Sequence, residues 1–321
     1  MKIRPLIFKT QRYFGKFFYR MLHFGFSIAF LEYLFKHTES RGVNKIRHKA
    51  IVNWLERKYH YFISKHYENA NSSPQGEIPQ KIWICWWDGM DMMPPIVKAC
   101  YQSVLRYAND FQVTLITKYN YAKYISMPEH IMRKVNNGKM TLTHFSNIIR
   151  TLLLYKYGGL WLDATYLVTD TITLDNISFY TVRDDVNNPG RNIARGRWQG
   201  NCFASAPNFY FFKFIYEFLF EYWREYNCLL THHLYDYSIN LAYDSYPSVK
   251  KAFDDLPLPP SAKNDIIKEN LNNEFDPFVL ENATSNVILH KLTWKHNSQL
   301  KTVNNKLTFY GYILQEHCKT E

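Results

Sequence analysis

Cysteine is scarce and badly placed for cross-linking. The five in this 321-residue chain, Cys85, Cys100, Cys202, Cys228 and Cys318, form no Cys-x-x-Cys pair. That odd, scattered set excludes a disulfide framework and a cysteine-built zinc site, and it implies reduced thiols in a cytosolic compartment. Glycine (12) and proline (13) are too few for a collagen-like or linker-type chain. No apolar run reaches the roughly 20 residues that a spanning helix needs. The most apolar stretch, Met21 to Phe35, contains His23 and Glu32 and has no small-residue cleavage site after it. Both a membrane span and a secretory signal are therefore disfavoured. Neither Gly-x-Gly-x-x-Gly nor Gly-x-x-x-x-Gly-Lys-Ser/Thr occurs, which disfavours dinucleotide-binding and phosphate-loop classes. The Gly-x-Ser-x-Gly elbow of the hydrolases is missing as well.

Apolar and aromatic residues are plentiful: 46% of the chain is hydrophobic and 17% aromatic. Burial on that scale offsets the ordering entropy of a globular domain, so disorder is excluded as the dominant state. The formal net charge of +11 is unevenly placed. Residues 1–70 hold 14 Lys/Arg against 4 Asp/Glu, while the remainder is close to balanced. The basicity belongs to an N-terminal arm, and no nucleic acid partner is expected for the body. Within the arm, Lys9, Arg12, Lys16 and Arg20 are mixed with Tyr13, Phe17 and Phe18. Two readings fit: an interfacial helix lying on an anionic membrane surface, or a helical pair packed on the body with its charges solvated. Asn71 to Gly76 is a linker by composition, dividing a helical arm over 1–70 from a main domain over 77–321.

Past the linker, strand and helix signals alternate. Lys81 to Trp87 predicts a short strand, Pro94 and Pro95 open a helix through about Tyr107, and Gln112 to Thr117 predicts a second, β-branched strand. Strand, helix, strand with short connections predicts a βαβ unit within an α/β sheet. Phe145, Ile148, Ile149, Leu152 and Leu153 then recur at helical spacing. Thr141 or Thr143 can cap that helix, and Gly158-Gly159 can end it in a left-handed turn. Leu160-Trp161-Leu162 reads as a buried strand with Asp163 just beyond it. An acidic residue there stands at the sheet's carboxyl end, where α/β proteins bind ligands. Asn147 and Arg150, three residues apart, share a face of the preceding helix, and a ligand could satisfy such an inward polar pair.

Ser146-Asn147-Ile148-Ile149-Arg150, followed by Leu154-Tyr155-Lys156-Tyr157-Gly158-Gly159-Leu160-Trp161-Leu162-Asp163-Ala164-Thr165, resembles the core of the capsular polysaccharide synthesis glycosyltransferases. These are relatives of the DxD-containing sugar transferases, whose pattern is S-D-x-x-R, L-x-x-x-G-G and an aromatic before D-x-D. Ile78 to Trp86 is similar to the family's opening strand, and Asn201 to Pro207 and His290 to Lys295 are similar to later blocks. The resemblance covers about 77–295. It implies a GT-A type, Rossmann-like mixed sheet flanked by helices. It also implies a hexosyltransferase-type enzyme that moves a sugar from a nucleotide-sugar donor to a capsular or other cell-surface glycan, with retention of configuration. A bacterial protein in the cytoplasm, peripheral on the inner face of the cell membrane, is the setting it implies.

By the same resemblance, Asp163 contacts the donor or a divalent metal, Mn²⁺ or Mg²⁺, which suits a departing diphosphate. Thr165 stands at the second acidic position, the capsular subgroup's ordinary variant, and removes one hard oxygen charge from a metal site. His290 is expected to complete that site. Trp86 matches the tryptophan that stacks on the donor's base; the alternative is a core aromatic. Arg150 matches the arginine that contacts donor sugar or phosphate; the alternative is a surface salt bridge. Asn147 replaces the family's aspartate and can hydrogen-bond sugar hydroxyls but cannot act as a base. Arg191, Arg195 and Arg197 either screen the diphosphate or lie on an exposed loop. Asp236 is a candidate for the acceptor side of the site, or a solvated helix residue. With one carboxylate placed, retention through a carboxylate pair is disfavoured, and front-face displacement fits better. The alternative function is a catalytically idle nucleotide-sugar-binding or assembly protein at the membrane, motivated by Asn147 and Thr165.

Overall fold

The computed structural model describes residues 15, 17–38, 40–70, 72–183, 192–257 and 265–318. Residues 17–24 are helical and lead into α1 (Phe26–Thr38) and α2 (Arg41–Ala70). Then follow β1 (Lys81–Cys85), α3 (Pro95–Tyr107), β2 (Gln112–Ile116), α4 (Glu129–Asn136), α5 (Leu142–Tyr157), β3 (Gly159–Leu162), β4 (Tyr166–Val168), β5 (Phe179–Thr181) and β6 (Cys202–Ser205). The chain continues through α6 (Tyr210–Glu225), α7 (Leu234–Ser245), α8 (Pro247–Asp254), α9 (Ile266–Glu269), α10 (Pro277–Thr284), β7 (Leu289–Lys291) and α11 (Phe309–His317). Pro95 opens α3 at a position where its missing N–H costs nothing. Thr141, rather than Thr143, caps α5 by accepting from the His144 amide.

Five strands form a mixed sheet in the order β2-β1-β3-β6-β5. β1 runs parallel to β2 and β3, whereas β6 is antiparallel to both β3 and β5. The parallel β1/β2 pair needs a crossover, and α3 supplies it. A separate antiparallel pair joins β4 to β7. Side chains alternate across the main sheet with period two. Trp83, Trp161, Phe179 and Phe203 enter one core with α2, α5, α6, α7 and α8. Ile82, Ile84, Leu160, Leu162 and Ala204 enter the other with α3, β4 and α11. The architecture is α/β, a sheet between two helical layers.

The arm is not set apart from this body. Ile51, Leu55 and Tyr59 of α2 are buried in the core shared with α6 and α7. Arg47 is buried as well, donating to Glu32 of α1 at 2.6 Å and to Asn44. Of the four cations expected to face lipid, Arg20 turns onto the body, where Nε donates to the Leu229 carbonyl at 3.1 Å. Lys9, Arg12 and Lys16 lie outside the described residues. No helix among the described residues is long and apolar enough to cross a membrane. All five cysteines are free.

Candidate active site

Trp86 follows β1 and Asp163 follows β3, and the parallel register pairs Trp83 with Trp161. Both residues therefore emerge at the same carboxyl end of the sheet. The Gly158-Gly159 pair makes this placement possible. Their φ angles are +64° and +93°, and a Cβ would meet the Ser205 carbonyl oxygen at 2.6 Å from Gly158 and the Lys81 carbonyl oxygen at 2.6 Å from Gly159. Only glycine turns the chain out of α5 and draws β3 directly between β1 and β6. The spacing from Arg150 to Asp163 is that of one helix end, one tight turn and one short strand.

The Asp163 carboxylate is surrounded by donors. Oδ1 accepts from Arg150 Nη2 at 2.8 Å and from Trp161 Nε1 at 3.0 Å, and Oδ2 accepts from Lys291 Nζ at 3.3 Å. Its backbone N–H donates to the Asn201 carbonyl at 3.0 Å. Burial alone would raise the carboxyl pKa. The Lys291 and Arg150 charges, with the Trp161 and Lys291 hydrogen bonds, outweigh it and hold the carboxyl below its ordinary value. Asp163 is thus an anion at neutral pH, with 31% of its side chain still open to solvent. Lys291, on β7, also donates to Thr165 Oγ1 at 2.5 Å, and its ammonium lies 5.4 Å from the Tyr166 ring centre.

Arg150 sits behind this carboxylate. It is 3% exposed, donates to the Gly200 carbonyl as well as to Asp163, and its guanidinium lies 5.1 Å from the Trp161 ring centre and 4.9 Å from that of Tyr235. That burial rules out a salt bridge on the surface; the ion pair Arg150 makes is with Asp163, within the site. Asn147 lies one turn earlier on α5, 9% exposed, with no side-chain hydrogen bond among the described residues. Trp86 is half-buried, donates to the Met92 carbonyl at 3.2 Å and meets the exposed Trp294 edge to face at 5.8 Å. Asp236 is not solvated: its side chain is 14% exposed, accepts from Trp198 Nε1 at 3.2 Å and stands 3.5 Å from His233 Nδ1. Gly200 packs between this residue and Arg150, since a Cβ there would contact Tyr235 and Asp236.

Two expectations need correcting. His290 does not join Asp163. It is fully buried, its Nε2 meets the Val287 carbonyl at 3.1 Å, and burial pushes its pKa down to about 4. Its strand neighbour Lys291 takes the place at the carboxylate, because consecutive strand residues face opposite ways. The residues named for a divalent ion therefore do not fit one in this arrangement: both Asp163 oxygens face cationic donors, the Thr165 hydroxyl faces Lys291, and His290 is turned away. Among the described residues no three His, Cys, Asp or Glu side chains converge as a metal site. Arg197 is engaged by the protein's own groups and is not on an exposed loop. It donates to the Ala194 and Ile193 carbonyls and to Asn240 Oδ1, and lies over Trp198 and Tyr243. Arg195 is exposed, and Arg191 lies outside the described residues. Lys291 and Trp294 were not singled out by sequence reasoning; the only signal was their presence in the His290 to Lys295 block.

Residues 31–313 match the family described as capsular polysaccharide synthesis protein. The chain belongs to that family. The match begins within α1 and takes in α2, a wider span than the 77–295 carried by the motifs alone. Comparison with curated proteins finds no match. Among solved structures, a PaToxG glycosyltransferase overlaps 69% of this capsular-family chain and 94% of its own, at 11% identity and a TM-score of 0.35. A score that low carries no argument about activity.

Proposed function

We propose that the protein is a glycosyltransferase that moves a sugar from a nucleotide-sugar donor to a capsular or other cell-surface glycan. The observation that carries this reading is Asp163, an anionic carboxylate partly open at the carboxyl end of β3 and braced by Arg150 from behind. Trp86, which emerges at the same end of the sheet, and Trp294 packed against it supply aromatic surface suited to stacking on a nucleobase. Asn147 offers an amide for sugar hydroxyls, and Asp236, across Gly200 from Arg150, is the carboxylate we assign to the acceptor. Retention follows from the family resemblance. With a single carboxylate at the centre, displacement from the front face is the favoured route. The test is calorimetric titration with a panel of nucleotide-sugars, paired with detection of released nucleotide and transferred sugar. Turnover of at least one donor is expected. Binding without turnover would favour an idle nucleotide-sugar binder, and absence of binding would contradict both.

The same reading places the enzyme on an anionic membrane surface through its first helices. Phe18, Leu22, Phe26 and Phe30 recur every four residues and are all exposed, Leu22 by 78%. They lie on two helical segments joined at Gly25, two on each, in an arm with a surplus of positive charge.

A further inference from the structure

We propose that this site releases the donor's diphosphate without a divalent ion, the Lys291 ammonium taking up the charge that develops on the departing oxygen. The inference rests on the nucleotide-sugar reading above and deepens it. Sugar transfer needs positive charge where the diphosphate leaves, and two sources can provide it: a bound cation held by carboxylates, or fixed side-chain cations. At Asp163 the arrangement is of the second kind. One carboxylate faces two cations, Arg150 at 2.8 Å and Lys291 at 3.3 Å, so this cluster holds one positive charge in surplus. A divalent ion seated on Asp163 would have to displace Lys291 and then lie against both positive charges. The second family position offers it only the neutral hydroxyl of Thr165, already an acceptor for Lys291.

Lys291 is built for the task. β7 holds it opposite Tyr166 in the β4 pairing, and the Tyr166 ring lies beneath the ammonium. Asp163 and Thr165 take two of its three N–H donors, and the side chain is still 24% exposed. The third donor is left for an incoming diphosphate oxygen. In the step, the bond from the anomeric carbon to the diphosphate oxygen breaks and its electron pair stays on that oxygen. The acceptor's hydroxyl oxygen bonds to the anomeric carbon on the same face, and its proton passes to the leaving diphosphate. Lys291 donates a hydrogen bond throughout and keeps its own proton.

Two measurements decide the matter. Inorganic pyrophosphate is titrated into the full chain in the presence of EDTA, using wild type, Lys291→Gln and Lys291→Arg. Thermal melts establish that each variant is folded. Metal-free binding by wild type is expected, weakened about tenfold or more in the Gln variant and largely kept in the Arg variant. Mn²⁺ alone is then titrated and followed by the electron paramagnetic resonance of the free ion, with no stoichiometric binding expected. Pyrophosphate binding that requires Mn²⁺, or one Mn²⁺ bound by wild type and lost in Asp163→Asn, would overturn the metal-free site. Unchanged affinity in Lys291→Gln would remove Lys291 from it. Failure of every nucleotide-sugar to turn over, with metal-free pyrophosphate binding intact, would instead overturn the transferase reading and the step assigned to Lys291.

Discussion

His144 and His290 show how burial sets single-residue chemistry. Each imidazole is driven by desolvation from the ordinary 6.5 down to about 4, and each donates its Nε2 proton to a backbone carbonyl, of His232 and Val287 respectively. Below pH 6.5 the unfolded chain takes up protons at these positions that the folded chain does not. Stability is therefore lost as pH falls from 6.5 towards 4. Asp163 acts in the same sense and lower: its folded pKa is depressed, so its contribution is present above the ordinary Asp value and lost on further acidification. The urea midpoint is expected to be flat between pH 7 and about 8 and to fall below 6.5, with a shallower fall in the His144→Gln/His290→Gln double variant. A midpoint independent of pH between 7 and 4 would contradict this account. The lysine that serves Asp163 stands next to one of these buried imidazoles, and strand alternation alone separates their environments.

The elements around the site differ in how legible they are in the sequence. α5 and β3 are readable because their signals are local: a Thr cap, a 3.6-residue apolar stripe, two glycines and an apolar triplet lead straight to Asp163. β4 and β7 are not, because each is three residues long and their pairing joins distant parts of the chain. Which of His290 and Lys291 faces the carboxylate depends on that register. The loop arginines were opaque for a related reason, since Arg197 is claimed by Asn240 of α7, a contact no local pattern encodes. At the α5–β3 junction, Gly158→Ala places a side chain at φ +64° and within 2.6 Å of a backbone oxygen. The cost is expected to be about 2 kcal/mol or more, from left-handed strain plus the clash. Urea unfolding measures it, and a variant as stable as wild type would show that the junction tolerates a Cβ.

At the scale of the whole molecule, the arm joins the body through α2, while residues 17–24 and α1 leave four large apolar side chains exposed. Removing residues 1–70 would take Ile51 and Leu55 out of the core, so truncation cannot test membrane binding cleanly. Replacing Phe18, Leu22, Phe26 and Phe30 with Ser is the cleaner change, because all four are exposed. Co-sedimentation with phosphatidylglycerol vesicles is expected to fall by about tenfold or more, given roughly 1.5–3 kcal/mol for each fully buried apolar side chain. The thermal melt should stay unchanged, and undiminished sedimentation would reject a membrane-facing role for these four residues. The most direct measurement is kcat/KM for the nucleotide-sugar that the donor panel selects, compared between wild type and a folded Asp163→Asn variant. A loss of about 10²–10³ is expected if this carboxylate orients the donor in the transition state. Turnover by Asp163→Asn at the wild-type rate would place the chemistry elsewhere and contradict the account.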